Sequence, residues 1–350
     1  MSKKVLITGI LGQDGANMAE FLLKNTDHKI YGMMRRSSNP NFINTLNFKN
    51  NPRFAFVFGD LGDEVSLNDL VKEIQPDYFI NFAANSFVGI SWSMPLQVFD
   101  VNALGVIRCL EAIRKFKPDC RFYSAGSSEE WGDVDYSPQD INHPIKPRSP
   151  YGAAKAASRH IVKVYRESYD MYAVHGILFN HEGTKRGEEF VTRKISKGVS
   201  RIYHSLKSGN LNFEPIRLGN LLSKRDWSDS EDFVEGVWLM MNQDKPKDYI
   251  LSSGETHSIK EFVERAFSAA KIVGGWLNES DPEKMIYAMP VLDDVEYAPL
   301  VVVDPKFYRP AEVELLLGDS TPIRKELGWK PRTSFGQLVD KMVKYDLEIY

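Results

Sequence analysis

VLITGILGQDG, Val5 to Gly15, decides how the rest of the chain reads. Lys4 to Thr8 is β-compatible and apolar at its centre, so it predicts a buried strand. Glycines follow at Gly9, Gly12 and Gly15, with Gln13 and Asp14 among them. Asn17 to Lys24 then places Met18, Phe21 and Leu22 at helical spacing. Strand, glycine turn and helix together form the setting in which a dinucleotide's pyrophosphate rests on a helix N-terminus. Gly9 permits the tight turn, Gly12 lets the backbone approach the phosphates, and Gly15 lets helix and strand pack closely. The alternative is a glycine-rich turn that binds nothing.

The spacing is G-x-x-G-x-x-G, which resembles the form found in short-chain dehydrogenase/reductase proteins. Outward from this stretch the chain is long enough, at 350 residues, for a large core in one or two domains. Its net charge of -3 gives no general reason to expect nucleic acid or an anionic membrane as partner. Cys109 and Cys120 are the only cysteines, which excludes a disulfide framework and makes a reduced, cytoplasmic protein the expectation. The N-terminal apolar run is short and ends in Gly12-Gln13-Asp14-Gly15, so it reads as a strand rather than a leader. No stretch of about 18 apolar residues is present, so no membrane span is expected.

Strands and helices alternate through the first half. Strands are predicted at Lys29–Met34, Arg53–Phe58, Tyr78–Phe82, Arg121–Ala125 and Tyr172–Leu178. Helices are predicted at Val65–Ile74, Val101–Phe116 and Tyr151–Tyr169, the last capped by Ser149 with Pro150 in its first turn. This alternation predicts an α/β fold, a Rossmann-type doubly wound parallel sheet, with a smaller mixed α/β substrate-binding lobe. Residues 1–180 are expected to bind the dinucleotide and residues 181–350 mainly the substrate, with segments near 214–252 returning to the first part. The second half mixes helices (Val191–Leu206, Glu231–Asn242, Ser258–Ala270, Ile323–Leu327, Phe335–Tyr345) with short strands (Ile216–Leu218, Tyr249–Ser252, Leu300–Val303).

Past the second strand, where an NAD binder carries an acid for the ribose 2′-hydroxyl, stand Arg35, Arg36 and Ser37. Guanidinium forks suit a phosphate monoester, so NADP is expected over NAD; the alternative is a solvated basic turn. Asp60, beside Leu61, can accept from the adenine amino group or cap the next helix. Ala83, Ala84 and Ser86 are small and leave room for ribose and nicotinamide.

Ligands in such sheets bind beyond the carboxyl ends of the strands, which puts Ser127 and Glu129 at that edge. Tyr151 and Lys155 lie four apart on a helix and share a face. A lysine beside a phenol lowers its pKa, so Tyr151 can take a proton from an alcohol that Ser127 hydrogen-bonds while hydride leaves carbon. Glu129 adds a step that simple dehydrogenation does not need. Once a ketone stands at C4 of a hexose, C5–H is acidic, and a carboxylate there can remove it and expel the C6 hydroxyl as water. Glu130 reads as a solvent-facing acid. The seven histidines show no paired metal-ligand spacing, so no metal is expected.

End to end, the chain resembles the GDP-mannose 4,6-dehydratases of the extended short-chain dehydrogenase/reductase superfamily. The resemblance runs through TGILGQDG (Thr8–Gly15), RRSS (Arg35–Ser38), GDL (Gly59–Leu61), RSPYGAAK (Arg148–Lys155), GILFNHE (Gly176–Glu182), RGEEFVTRKIS (Arg186–Ser196), KRDW (Lys224–Trp227) and RPAEVELLLGD (Arg309–Asp319). It implies a hydro-lyase that converts GDP-mannose to GDP-4-keto-6-deoxymannose, with Ser127, Glu129, Tyr151 and Lys155 as its catalytic residues. It implies cofactor contacts from the glycine loop, Arg35, Arg36, Asp60, Leu61, Lys155, His181 and Arg186. Nucleotide-sugar contacts are implied at Asn180, Lys194, Arg225, Arg309 and Glu312, with Ser86 near the sugar. It also implies a homodimer through helices of the cofactor domain, or a homotetramer.

The chain departs from the family pattern at several points. Asn85-Ser86-Phe87-Val88 stands where the family usually has Gln-Ser-His-Val, and Glu129-Glu130-Trp131-Gly132 where it has Glu-Leu-Tyr-Gly. Ser228-Asp229 replaces Gly-His, and Asn39–Asn47 lacks the usual arginine. Phe87 and Trp131 are expected near the sugar, which keeps a GDP-heptose dehydratase open as a substrate variant. A GDP-sugar epimerase or reductase would use Ser127, Tyr151 and Lys155 without Glu129. A non-catalytic NADP-binding regulatory protein would commonly lack the Tyr or the Lys.

Overall fold

The computed structural model describes residues 2–290, 297–308, 313 and 315–349. Six parallel strands follow the sequence pattern closely: β1 Lys4–Thr8, β2 Lys29–Met34, β3 Phe54–Phe58, β4 Tyr78–Asn81, β5 Arg121–Ala125 and β6 Ala173–Leu178. With Tyr249–Leu251 they form one seven-stranded sheet in the order Tyr249–Leu251, β6, β5, β4, β1, β2, β3. The chain winds outward from β1 to β3, then returns to lay β4 on the other side of β1. The crevice between β1 and β4 is therefore the switch point where such sheets bind ligands.

Both faces of the sheet are covered, which is why β6 is buried along its whole length. On one face lie helix α1, Gln13–Asn25, and helix Ser230–Met241, sharing a core of Met18, Leu22, Phe233, Val237 and Trp329. On the other lie helix α2, Glu64–Ile74, and the helices Gly105–Phe116 and Pro150–Tyr169, around Leu67, Val71, Leu110 and Phe122. A separate core forms among helices Val191–Lys207, Ile259–Ala269 and Phe335–Ile349, with Ile195, Phe262, Phe267, Leu338 and Met342 at its centre.

Two regions differ from the sequence expectation. Residues 279–310, read as holding a single strand at Leu300–Val303, carry two among those described, Ile286–Pro290 and Tyr297–Val303; with Gly275–Leu277 just before them and Ile216–Leu218 beside Tyr297–Val303 they make a four-stranded sheet. Proline and charge hid the alternation, and the pairing partner lies some 80 residues away in sequence. The helix expected to begin at Val101 is already under way at Pro95, and its turns widen to π geometry over Asp100–Leu104 before Gly105–Phe116. That widening brings Asn102 to the backbone of Asn85, donating to its carbonyl at 3.1 Å and accepting from its amide at 2.8 Å.

Candidate active site

A cleft of about 1390 Å³ opens at the carboxyl edge of the sheet and reaches the second core. That is ample for two nucleotide-sized ligands, since single drug-sized sites occupy roughly 300–1,000 Å³. Its floor is the glycine loop. Gly9 has φ +68°, and a Cβ there would stand 2.9 Å from the Ala83 amide nitrogen. A Cβ on Gly15 would stand 2.4 Å from the carbonyl oxygen of Gly9, so helix α1 packs on the turn only without a side chain. Thr8 ties the ends of β1 and β4 together: its Oγ1 donates to Asn81 Oδ1 at 2.6 Å and accepts from the Ala83 amide at 3.0 Å. The loop thus meets the requirements of a pyrophosphate cradle: close backbone, a free helix N-terminus and small neighbours.

Gly9, Gly12, Gln13, Asp14, Gly15, Asp60, Leu61, Ala83, Ala84 and Ser86 all line this cleft. Arg35 and Ser37 line it too, while Arg36 is exposed and does not. Asp60 does not cap helix α2; Asp63 does, accepting from the Val65 amide at 3.0 Å, and Asp60 Oδ1 instead accepts from the Gly62 amide at 2.9 Å.

Ser127, Glu129, Tyr151 and Lys155 converge on the same cleft. Ser127 caps a single 3-10 turn, Ser128–Glu130, its Oγ accepting from the Glu129 amide at 3.2 Å. Pro150–Tyr169 begins against that turn, and a Cβ on Gly152 would stand 2.4 Å from the Glu129 carbonyl. Burial pushes the Tyr151 phenol well up; its hydrogen bond with Ser127 and the Arg186 guanidinium draw it back, while Glu129 pushes it further up. Burial likewise brings the Lys155 ammonium down to about 8, with Glu130 and Asp14 opposing. Lys155 Nζ donates to the Ala125 carbonyl at 2.7 Å and stands 5.8 Å from the centre of the Tyr151 ring. The lowering of the phenol by its lysine, expected from their spacing, is not what the structure gives: burial is the largest influence on both groups.

From across the cleft, His181 Nε2 meets Asp14 Oδ2 at 3.0 Å and Nδ1 meets the Phe179 carbonyl at 2.7 Å. Gln13 Nε2 donates to the His181 carbonyl at 3.0 Å, and Arg186 pairs with Glu182 at 3.0 Å. Asn180 and Lys194 line the cleft toward the second core; Lys194 Nζ lies 3.6 Å from the centre of the Phe307 ring, and burial, then Lys306, lowers its pKa. Arg225 lines the same end from a strand fixed by its neighbour Asp226, which accepts from the amides of Ser253, Gly254 and Gly318. Arg309 and Glu312 lie outside the described residues. Among the described residues, no group of three or more His, Cys, Asp or Glu side chains is arranged to hold a metal, and no helix is long and apolar enough to cross a membrane.

A family model described as GDP-mannose 4,6 dehydratase matches residues 6–342. The chain belongs to that family. It is 41% identical over 355 residues to a GDP-mannose 4,6 dehydratase of Drosophila melanogaster, covering 99% of this chain and 87% of the relative. It is 41% identical over 352 residues to the Homo sapiens GDP-mannose 4,6 dehydratase, covering 98% and 91%. A crystal structure of dTDP-glucose 4,6-dehydratase from Bacillus anthracis in complex with NAD shares the fold, with a TM-score of 0.78 at 18% identity over 99% and 97% of the two chains.

Two residues at which the chain departs from the GDP-mannose 4,6-dehydratase pattern sit elsewhere than expected. Trp131 is fully buried, packed on Phe179 and His143, and does not line the cleft. Glu130 is fully buried as well, not solvent-facing. Phe87 does line the cleft, edge-on to Phe190 with ring centres 5.9 Å apart. Phe190 and Asn102 were missed by sequence reading. Phe190 stands alone before a helix with no cap signal, and Asn102 looks like an ordinary polar residue on an amphipathic helix.

Proposed function

We propose that this chain is an NADP-dependent GDP-mannose 4,6-dehydratase, a hydro-lyase forming GDP-4-keto-6-deoxymannose and water. The observation that carries this reading is the placement of Glu129 in the cleft on the same single turn as Ser127, against the helix that brings Tyr151 and Lys155. Oxidation at C4 needs Ser127, Tyr151 and Lys155; elimination across C5 and C6 needs a further carboxylate, and Glu129 is in place to be it. The glycine loop, Ala83 and Ala84 would hold a nicotinamide dinucleotide, which would supply a positive charge in the cleft, a hydride acceptor for C4 and a hydride donor for C6.

The chain's own groups handle the protons. Ser127 Oγ hydrogen-bonds the C4 hydroxyl and Tyr151 takes its proton. Glu129 removes the proton from C5, made acidic by the C4 ketone, and passes it to the departing C6 hydroxyl. Once C6 has regained a hydride, the proton that Tyr151 took from the C4 hydroxyl is the one left to return to C5. Bonds and electrons balance as the loss of one water with no net oxidation.

Arg35 in the cleft, with Arg36 beside it, supports NADP over NAD, because a guanidinium pairs with a 2′-phosphate. Asn180, Lys194 and Arg225 suit a diphosphate and its nucleoside. In this reading residues 1–180, with 214–252, hold the cofactor and 181–350 hold mainly the GDP-sugar. Exposed Leu96 and Phe99, on the helical run before Gly105–Phe116, and Val164 on Pro150–Tyr169 support a homodimer through these helices, and a homotetramer remains compatible with it. The composition suits the cytoplasm.

Incubation with GDP-mannose and catalytic NADP, followed by mass spectrometry, tests the reading. A product lighter by one water without accumulation of reduced cofactor is expected. An unchanged mass with an inverted sugar centre points to an epimerase, and turnover of GDP-heptoses alone would make Phe87 the first residue to change.

A further inference from the structure

Glu130 carries a carboxylate where the family usually has leucine, and burying a charge is costly unless it is fully engaged. Here it is fully buried; its Oε1 is engaged twice, while its Oε2 finds no hydrogen-bond partner among the described residues. Its Oε1 accepts from the amide of Ser127 at 2.8 Å, closing a capping box around the Ser128–Glu130 turn. The same oxygen accepts from His175 Nε2 at 2.8 Å, and His175, on β6, is also fully buried. Arg159 Nη1 lies 3.9 Å from Oε2. Arg159 is one turn past Lys155 and two past Tyr151, so all three lie on one face of Pro150–Tyr169.

The space around this cluster is built to hold it. A Cβ on Gly126 would stand 2.2 Å from His175 Nε2 and 2.8 Å from Glu130 Oε1. Gly126, immediately before Ser127, is thus glycine because the pair occupies the position beneath it. The turn that bears both Ser127 and Glu129 is a single turn, too short to hold its own shape, and of the two halves of its capping box the Glu130 half is the shorter, 2.8 Å against 3.2 Å for Ser127 Oγ with the Glu129 amide.

We infer that Glu130 is a positioning residue of this active site: its carboxylate, held between the Ser127 amide and His175, fixes the turn that aims Ser127 and Glu129 into the cleft. The negative charge has a second effect, because it favours the charged form of the buried Lys155 ammonium. The catalytic part of this inference rests on the dehydratase reading above; the structural part does not.

Glu130→Leu and Glu130→Gln separate the alternatives. Glutamine keeps an oxygen that accepts from the Ser127 amide and from His175; leucine keeps the volume and neither bond. Hydrogen exchange of the peptide spanning 126–131, read by mass spectrometry, needs no turnover. Exchange at least tenfold faster in Glu130→Leu and near wild type in Glu130→Gln is expected, and equal exchange in all three proteins overturns the inference. In the GDP-mannose assay, Glu130→Leu should lower kcat at least tenfold with KM within about twofold, and Glu130→Gln should recover most of the loss. A kcat for Glu130→Leu within twofold of wild type overturns the catalytic part, as does an equal loss for leucine and glutamine. If the leucine variant does not fold, faster exchange at 126–131 and lower kcat in His175→Asn, which loosens the same oxygen, are expected, and wild-type values there overturn the inference. Failure of wild type itself to release water, with the exchange result intact, refutes the dehydratase reading and leaves the brace standing.

Discussion

The ammonium of Lys155 donates to the carbonyl oxygen of Ala125 at 2.7 Å from a buried position, and burial holds its pKa down to about 8 against 10.5 for a free lysine. Below pH 8 the folded chain bears the whole desolvation cost, roughly 3 kcal/mol by the size of the shift. Between about pH 8 and 10.5 the unfolded chain binds more protons than the folded one, so this residue makes stability rise with pH there. In Lys155→Met that rise should disappear. Urea midpoints of both proteins at pH 7.5 and 9.5 check it: wild type should gain on the variant at the higher pH, and the variant should be inactive at both.

Glu129→Gln keeps the size of the side chain and removes the carboxylate proposed as the C5 base. Dehydration should fall by roughly 10²- to 10⁴-fold, the usual range for a positioned acid–base group. Cofactor binding, followed by fluorescence titration, should stay near wild type. Intact turnover in this variant would move the assignment to epimerisation or reduction at C4.

Arg35 lines the cleft and Arg36 does not. Arg35→Ser should therefore weaken NADP binding roughly 10- to 100-fold, the worth of a hydrogen bond to a charged group, and leave NAD binding unchanged. Arg36→Ser should do less. Calorimetric titration of both cofactors against both variants gives the comparison.

His181 has an acceptor at each ring nitrogen, which favours the imidazolium. Burial lowers its pKa, but Asp14 more than restores it; burial raises Asp14, and His181 with Arg186 more than reverse that. The histidine's share of stability is complete below about pH 6.5 and is lost as pH rises through its raised folded value; the aspartate's is complete above about pH 3.8 and is lost only as pH falls through its lowered one. The link is thus strongest in mild acid and weakens on the alkaline side. His181→Asn should cost about 2 kcal/mol at pH 6, the worth of a hydrogen bond to a charged group, and distinctly less at pH 9, measured by urea unfolding at each pH.

The parallel sheet and its cleft were legible in the sequence because they depend on local signals. Val5–Gly15 alone specifies a strand, a turn of glycines and a helix, and the buried strands are continuous apolar runs that no other element explains. The grouping of Ser127, Glu129, Tyr151 and Lys155 followed from their places at strand end and helix start. What was hidden depends on partners distant in sequence. Glu130 looked like a surface acid because His175, 45 residues on, gives no local sign of being its partner. Trp131 looked like a sugar contact because nothing nearby announces Phe179. Ile286–Pro290 was lost because its neighbours are set by pairing rather than by its own alternation.

The short strand Tyr249–Leu251 pairs with β6 at the edge of the large sheet after the chain has already entered the second core. The outermost slot of the first unit is therefore filled by residues translated long after the rest of it. A ribosome that has delivered only β1 to β6 exposes the free edge of β6, and Phe233 and Trp329 are not yet there to cover that face. Exchange of the second core with that of a relative likewise cannot be made at one junction: a hybrid must be spliced on both sides of this strand, or β6 and its edge partner will come from different parents.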